Sequence, residues 1–483
     1  MKPTIHPPTR PLASALLAAA LLGACAVTPL PAAPERNALT PPQWHSPLPH
    51  DGQTGDLTRW WQQFDDPLLA QLIDAAQEAS PTLAAAQSRI AQARAARTAA
   101  GAALLPRLDA NASLVRGRQD FVTPTGTTAT IGAQAGWELD LFGGARAGRS
   151  AAQARLEGAE AGWHAARVSL AAEVALDYLG LRACEAQLVQ AQADATSRGE
   201  TARLTELSAR AGFQAPATEA LSRASAAQAR AQLAAQRATC ETAVKGLVAL
   251  TGIAEPALRE RLLPATAALP QPSQLGVAAV PAQVLAQRPD LHIAERELAA
   301  ASADVSQARA QQWPRVGLAG SVTAGRFESG AISTDGKLWS IGPLTVSLPL
   351  FDGGTRAANV DAARARYEEA ASSYRATLRG AVREVEQALV QLQSTASRSE
   401  DARIAAEGFD ASYRAAEARF RGGLASLFEL EDARRSAVQA NSQLIELQRE
   451  RVAAWIALYR ALGGGWAAPQ TQASASPGDA RPQ

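Results

Sequence analysis

The chain is written twice, and no other feature limits its fold so strongly. Residues 80–108, SPTLAAAQSRIAQARAARTAAGAALLPRL, align without a gap against residues 288–316, RPDLHIAERELAAASADVSQARAQQWPRV, so that Leu83 falls on Leu291 and Pro106 on Pro314. Downstream, GWELDLFGGAR (136–146) is echoed by TVSLPLFDGGTR (345–356), ARAGF (209–213) by FRGGL (420–424), and ALTG (249–252) by ALGG (461–464). Each half reads helix, proline-bounded strand, strand, Gly-Gly, very long helix, glycine turn, helix. A tandem internal duplication of this size governs the architecture, because whatever one half forms the other must form too.

The helical segments are rich in Ala with Leu, Arg, Gln and Glu, all strong helix formers. From Ala145 to Ala209 no proline intervenes, and apolar residues recur at helical spacing, as at Leu170, Val174, Leu181 and Leu188. At about 1.5 Å per residue, roughly 65 residues would extend about 100 Å. That length predicts a coiled-coil-like assembly, with alanine letting neighbouring helices approach closely. A solvated helical rod would satisfy the helices equally well.

The strands argue against a rod. In TATIGAQAGWELDLF (128–142), Ala129, Ile131, Ala133, Ala135, Trp137, Leu139 and Leu141 alternate with polar residues and glycine. RLDANASLVRG (107–117) alternates too, and the second half repeats the pattern around Val316, Leu318 and Val322 and again at Leu344, Val346, Leu348 and Leu350. Such runs have the period of barrel strands with one apolar and one polar face. Four strands cannot close, and an open sheet edge in lipid costs several kcal/mol per unpaired group. Two chains would supply eight strands and a filled interior; three would supply twelve and room for a pore. A trimer is the better fit to a conduit.

The repeated glycines then mark where strand becomes helix. Gly143 and Gly144, and Gly353 and Gly354, permit the redirection, Phe142 and Phe351 are placed to anchor it, and Pro106 and Pro314 end the helices that enter the sheet. A phosphate-binding loop would need a Lys-Ser/Thr pair that neither copy has.

The amino-terminal residues carry Lys2 and Arg10 ahead of PLASALLAAALLGA (11–24), a secretory signal too short to span a bilayer. Gly23 and Ala24 before Cys25 resemble a lipobox, which predicts cleavage after residue 24 and acylation of Cys25. Ala26 in place of Asp points to the outer membrane. Removal of Lys2 and Arg10 leaves 45 basic against 46 acidic residues, which gives no electrostatic footprint for nucleic acid. The expected organisation is a signal peptide (1–24), a lipidated Pro-rich tether (25–59), a first repeat (60–270), a second repeat (271–470) and a disordered polar tail (471–483).

With these features in place, the chain resembles the TolC-like outer-membrane efflux proteins, in the NodT-type lipoprotein branch that serves tripartite resistance-nodulation-division (RND) pumps. The resemblance covers nearly the whole mature chain and is carried by WWQQFDDPLLAQLIDAA (60–76), LFGGAR, LFDGGTRAANVDAARARYEEA (350–370), REVEQALVQL (383–392) and ARFRGGLASLFELEDARRSAVQA (418–440). It implies an α+β fold: a homotrimer with a long α-helical barrel below a transmembrane β-barrel, each chain giving four strands. It also implies a Gram-negative outer-membrane location extending into the periplasm, a periplasmic adaptor and an inner-membrane RND transporter as partners, and no catalysis. Two other readings stay open, a lipid-anchored structural spacer and a type I protein-secretion exit.

By the same resemblance the glycine turns form the tip that meets the adaptor, here Arg210, Gly212 and Phe213, and Arg421, Gly423 and Leu424. Carboxylates six and nine residues after the second turn glycine, Glu429 and Asp432, match a periplasmic gate in some members; a solvated acidic face is the alternative. Cys184 and Cys240 each lie 28 residues from Gly212, at one level of an antiparallel hairpin, which predicts a disulfide in an oxidising compartment. Two buried thiols are the alternative. Of the histidines, His6, His45 and His50 precede the repeats, while His164 and His292 stand alone on helices without ligand spacing. No metal site, no nucleophile motif and no cofactor beyond the lipid on Cys25 is expected.

Overall fold

The computed structural model describes residue 44 and residues 57–118, 125–271 and 285–466. The signal peptide, Cys25, nearly all of the tether and its histidines, the repeat boundary and the tail lie outside the described residues.

A short 3-10 segment, Leu57–Phe64, leads into α1 (Pro67–Ala79) and the repeats follow. The first runs α2 (Pro81–Ala102), β1 (Arg107–Gly117), β2 (Gly126–Leu139), α3 (Gly144–Arg210), α4 (Pro216–Thr251) and a short α5 (Glu255–Leu262). The second runs α6 (Pro289–Ala310), β3 (Arg315–Ser329), β4 (Ile332–Ser347), α7 (Thr355–Arg421) and α8 (Leu427–Ala461). The duplication is metrical: α2 and α6 both have 22 residues, and α3 and α7 both have 67. The strands are less alike, with 11 and 14 residues against 15 and 16.

Two compact units emerge. The first joins Ser88–Glu160 to Ile293–Ala376 and holds all four strands. They form one antiparallel sheet in the order β1-β2-β3-β4, so β2 and β3 pair across the repeats and β1 and β4 are the edges. Beside it the start of α3 packs on α6 through alanine: Ala151, Ala154 and Ala300 are buried together. The close approach expected of alanine contacts is present here. Arg296 reaches Glu157 at 3.2 Å, and Arg155 pairs with Asp304.

The second unit takes Ala161–His292 and the described residues before Ser88 and after Ala376. Its core gathers Leu72 of α1, Val174 of α3, Leu247 of α4, Val385 of α7 and Val452 of α8. Leu170, Val174 and Leu181 are all buried in it, and Leu188 packs against it. Asp66 caps α1, accepting from the amides of Leu68 (3.0 Å) and Leu69 (3.2 Å), and its other oxygen accepts from the Tyr178 hydroxyl at 2.6 Å. Trp60 and Trp61 lie 5.1 and 4.9 Å from the Tyr459 ring, which ties the segment before α1 to α8.

Two strand readings need correction. Sequence alternation carries β2 to Phe142, but the ladder stops at Leu139 because Asp140 leaves the sheet to cap the next helix. The fourth strand, placed by alternation at Leu344–Leu350, is instead β4 from Ile332 to Ser347, reached from the end of β3 by a turn at Gly330 and Ala331. Its Gly, Ser and Asp residues hid the strand period, yet backbone pairing continues through them.

Candidate functional site

Residues opposite one another in an antiparallel ladder share a face. One face collects Leu108, Leu114, Ile131, Trp137, Val316, Val322, Trp339, Ile341, Leu344 and Val346 in successive cross-strand rows. Leu108, Leu114 and Ile341 are 74%, 74% and 85% exposed, so among the described residues nothing covers this face. The opposite face carries Asp109, Asn111, Ser113, Thr130, Gln134, Ser321 and Ser340, with hydroxyl pairs at 2.7 Å (Ser113–Thr130) and 3.0 Å (Ser321–Ser340). An apolar surface of this kind, bare in water, fits lipid. No described helix is long and apolar enough to cross a membrane.

At the helix end of the sheet, both strand-to-helix junctions use one device. Gly143 (φ 78°) in the first copy, and Gly353 (φ 64°) and Gly354 (φ 90°) in the second, adopt the left-handed conformation that glycine tolerates. Gly144 sits where a Cβ would come within 3.0 Å of Ala310. Asp140 accepts from the amides of Ala145 and Arg146 and from the Arg146 guanidinium, all at 3.0 Å. Asp352 does the same for Gly354 (3.0 Å), Arg356 N (3.2 Å) and the Arg356 side chain (3.0 Å). Those bonds, first among them the one from the Arg356 amide, hold the Asp352 carboxyl below the usual aspartate range. Phe142 stacks on Trp313, centroids 5.3 Å apart, whereas Phe351 is 92% exposed within the chain. Pro106 and Pro314 each sit one residue before a strand, as the sequence placed them.

At the far ends of α3 and α7 the turns are superposable in their bonds. Gly212 N donates to Ala209 O and Phe213 N to Ser208 O; Gly423 N donates to Phe420 O and Leu424 N to Arg419 O. Both are Schellman closures around a glycine at φ 79° and 72°. Phe213 and Leu424 project into solvent, and Arg210 and Arg421 pair back along their own helices with Glu206 and Glu417. The returning helices differ. α4 starts at Ala215 with no side-chain cap, while α8 starts at Ser426 in a capping box with Glu429: Ser426 N donates to Glu429 Oε2 at 2.8 Å and Glu429 N to Ser426 Oγ at 3.2 Å. Glu429 thus has a structural task beside the one expected of it. Asp432 is exposed, 3.7 Å from Arg435.

Cys184 of α3 and Cys240 of α4 form a disulfide with Cα atoms 5.5 Å apart. The His164 and His292 rings lie tilted against Trp466, centroids 6.0 and 5.2 Å away, and burial followed by the Arg167 charge lowers the His164 pKa. Among the described residues no group of His, Cys, Asp or Glu is arranged to hold a metal ion.

The sequence matches the profile of the outer membrane efflux protein family twice, over residues 72–253 and 280–464. The chain belongs to the outer membrane efflux protein family. It is similar to the pyoverdine export outer membrane protein OpmQ of Pseudomonas putida, 32% identical over 91% of this chain and 95% of that one. It is 31% identical to the solvent efflux pump outer membrane protein SrpC of Pseudomonas putida, over 94% and 98%. The solved outer-membrane channel OprN has the same fold, with a TM-score of 0.77 at 30% identity over 91% of this chain and 98% of that one. The fold is therefore that of TolC-like channels, and the protein is an outer-membrane channel of an efflux system.

Sequence reading of this efflux protein missed one cluster near the turns. Glu431 is buried and paired with Arg434, with Arg198 (2.8 Å) and with Ser225 (2.8 Å). Arg434 also donates to Ser197 and Thr201, each at 3.1 Å, and lies over the Tyr413 ring. Four helices, α3, α4, α7 and α8, meet in this network. The available signal was Glu431 and Arg434 at helical spacing on a face that also carries Leu427 and Leu430, but pairing across 233 residues leaves no local mark.

Proposed function

We propose that three copies of this chain close their sheets into one twelve-stranded barrel and form a passive exit duct for small toxic molecules. The observation that carries the reading is the two-faced meander with both edges, β1 and β4, unpaired among the described residues. Joining β4 of one copy to β1 of the next satisfies every edge, turns the apolar face to lipid and leaves the polar face around a pore. The chain itself catalyses nothing; an inner-membrane RND transporter supplies the energy, and a periplasmic adaptor docks at the glycine turns through Phe213 and Leu424. An acyl chain on Cys25 would add a lipid anchor. The names of relatives, which span pyoverdine and solvent export, support small molecules as the cargo class.

Glu429 and Asp432, three residues apart on α8, would ring the periplasmic opening three times over and bind cations there. The purified protein in planar bilayers should give stepwise conductance that divalent cations block from the periplasmic side. Glu429→Gln with Asp432→Asn should weaken that block while keeping the capping box, which accepts Gln. No conductance would reject the duct; an unchanged block would reject only the gate.

A further inference from the structure

The polar face of the sheet has an uneven composition along its length. Starting from the helix end, it presents Arg315 and Ser347, then Glu138, Gly317 and Thr345, then Arg107 and Gly136, then Asp109, Gln134, Ser321 and Ser340. Beyond that row come only Asn111, hydroxyl residues, glycines and a few apolar side chains, with Leu338 and Phe327 the largest. Among the described strand residues, four charges stand on this face: Arg107, Asp109, Glu138 and Arg315. All four lie at one end. Arg107 and Asp109 pair at 2.6 Å, and Glu138 and Arg315 line one cavity at the junction.

Glycine is segregated in the same way. Gly132, Gly136, Gly317, Gly325 and Gly336 fall on the polar face, against Gly320 on the apolar face. The two faces follow different rules. The apolar face carries alkyl and aromatic side chains along most of its length, with Arg116, Arg326, Glu328, Asp335 and Lys337 at the end away from the helices, whereas the polar face gives up side-chain volume and retains hydroxyls.

Resting on the trimeric duct reading, we propose that the membrane section of the pore is charge-balanced. Arg107, Asp109, Glu138 and Arg315 would set that balance, so that organic anions and organic cations pass alike. Three copies bring six positive and six negative side chains to the helix end of the lumen, spread over four successive rows, so the ring they form has no net charge. Rings of one sign select ions because field lines concentrate in a low-dielectric wall; a ring whose charges cancel at close range does not. Above the ring, hydroxyls and exposed backbone offer hydrogen bonds to either kind of cargo, and the missing side chains leave room for bulky molecules.

The test is the reversal potential of the purified full-length protein in planar bilayers under a KCl gradient, with native mass checked for every variant. With the acidic tip neutralised by Glu429→Gln and Asp432→Asn in every variant, the pore should show a cation-to-anion permeability ratio of about 1, within roughly twofold. Arg107→Gln with Arg315→Gln leaves only carboxylates in the ring and should raise the ratio to about 5 or more; Asp109→Asn with Glu138→Gln should lower it comparably. Gly336→Asp provides an independent variant, since nothing lies within 4 Å of a Cβ added there. It adds an unpaired carboxylate to the neutral rows and should also favour cations. A strongly selective pore in that tip-neutral background would overturn the proposal, as would ring variants that leave the ratio unchanged while Gly336→Asp shifts it. Silence from every variant would overturn it too, by showing that this face does not line the path. Absence of any conductance would instead reject the duct, and this inference with it.

Discussion

The hairpin of α3 and α4 and the hairpin of α7 and α8 share a backbone but not a chemistry. Their long helices have equal length and their turns close with the same pair of backbone bonds. Yet the first is tied by the Cys184–Cys240 disulfide and begins its return helix at an uncapped Ala215 and Pro216, while the second has no such tie and begins at a capping box. Duplication preserved what the geometry of a long hairpin demands, a glycine at a left-handed position. It left free the residues that decide how firmly each hairpin holds and what it presents. Two similar arms therefore make one covalently pinned arm and one held by hydrogen bonds and charge.

The largest effect is expected where the arms meet. Glu431→Ala strands the buried Arg434 while Arg198 keeps Asp194 at 2.9 Å, and should cost about 3 kcal/mol, with amide exchange quickening in both hairpins. Loss confined to α8 would show that the network does not couple them. Cys184→Ser with Cys240→Ser should cost about 2–4 kcal/mol, with faster exchange in α3 and α4 and little change in α7 and α8. An equal loss in both arms would remove the asymmetry. Gly212→Ala and Gly423→Ala should each cost about 1–2 kcal/mol in thermal or chemical unfolding, and by the same amount, because both glycines hold one conformation. Unequal losses would mean that the turns are not equivalent. Ser426→Ala should cost about 1 kcal/mol, whereas Ala215→Ser should stabilise the first arm by a smaller amount. If Ala215→Ser has no effect, the difference in capping does not matter to stability.

Local and repeated features were legible in the sequence. The internal repeat located both 67-residue helices to within a residue or two, because proline-free alanine-rich runs bounded by glycine leave little choice of structure. Period-two alternation identified β1, β2 and β3 and their apolar face, and only the last residues of β4. It failed at β4, where Asp335, Gly336 and Lys337 interrupt the period and a register shift at Leu318/Gly320 breaks it. The junction glycines were readable, but the carboxylates that clamp them were not singled out: Asp140 stands six residues before its arginine and Asp352 four, so the two copies do not align at the residue that matters. The Asp66–Tyr178 and Arg198–Glu431 contacts span 112 and 233 residues, and they depend on packing that no local pattern encodes.

The most direct test of the account is the native mass of the detergent-extracted protein. A duct built from four strands per chain requires three copies, a single species at three times the chain mass that persists on dilution. A stable monomer would leave the edges of β1 and β4 unpaired in lipid and would contradict the duct.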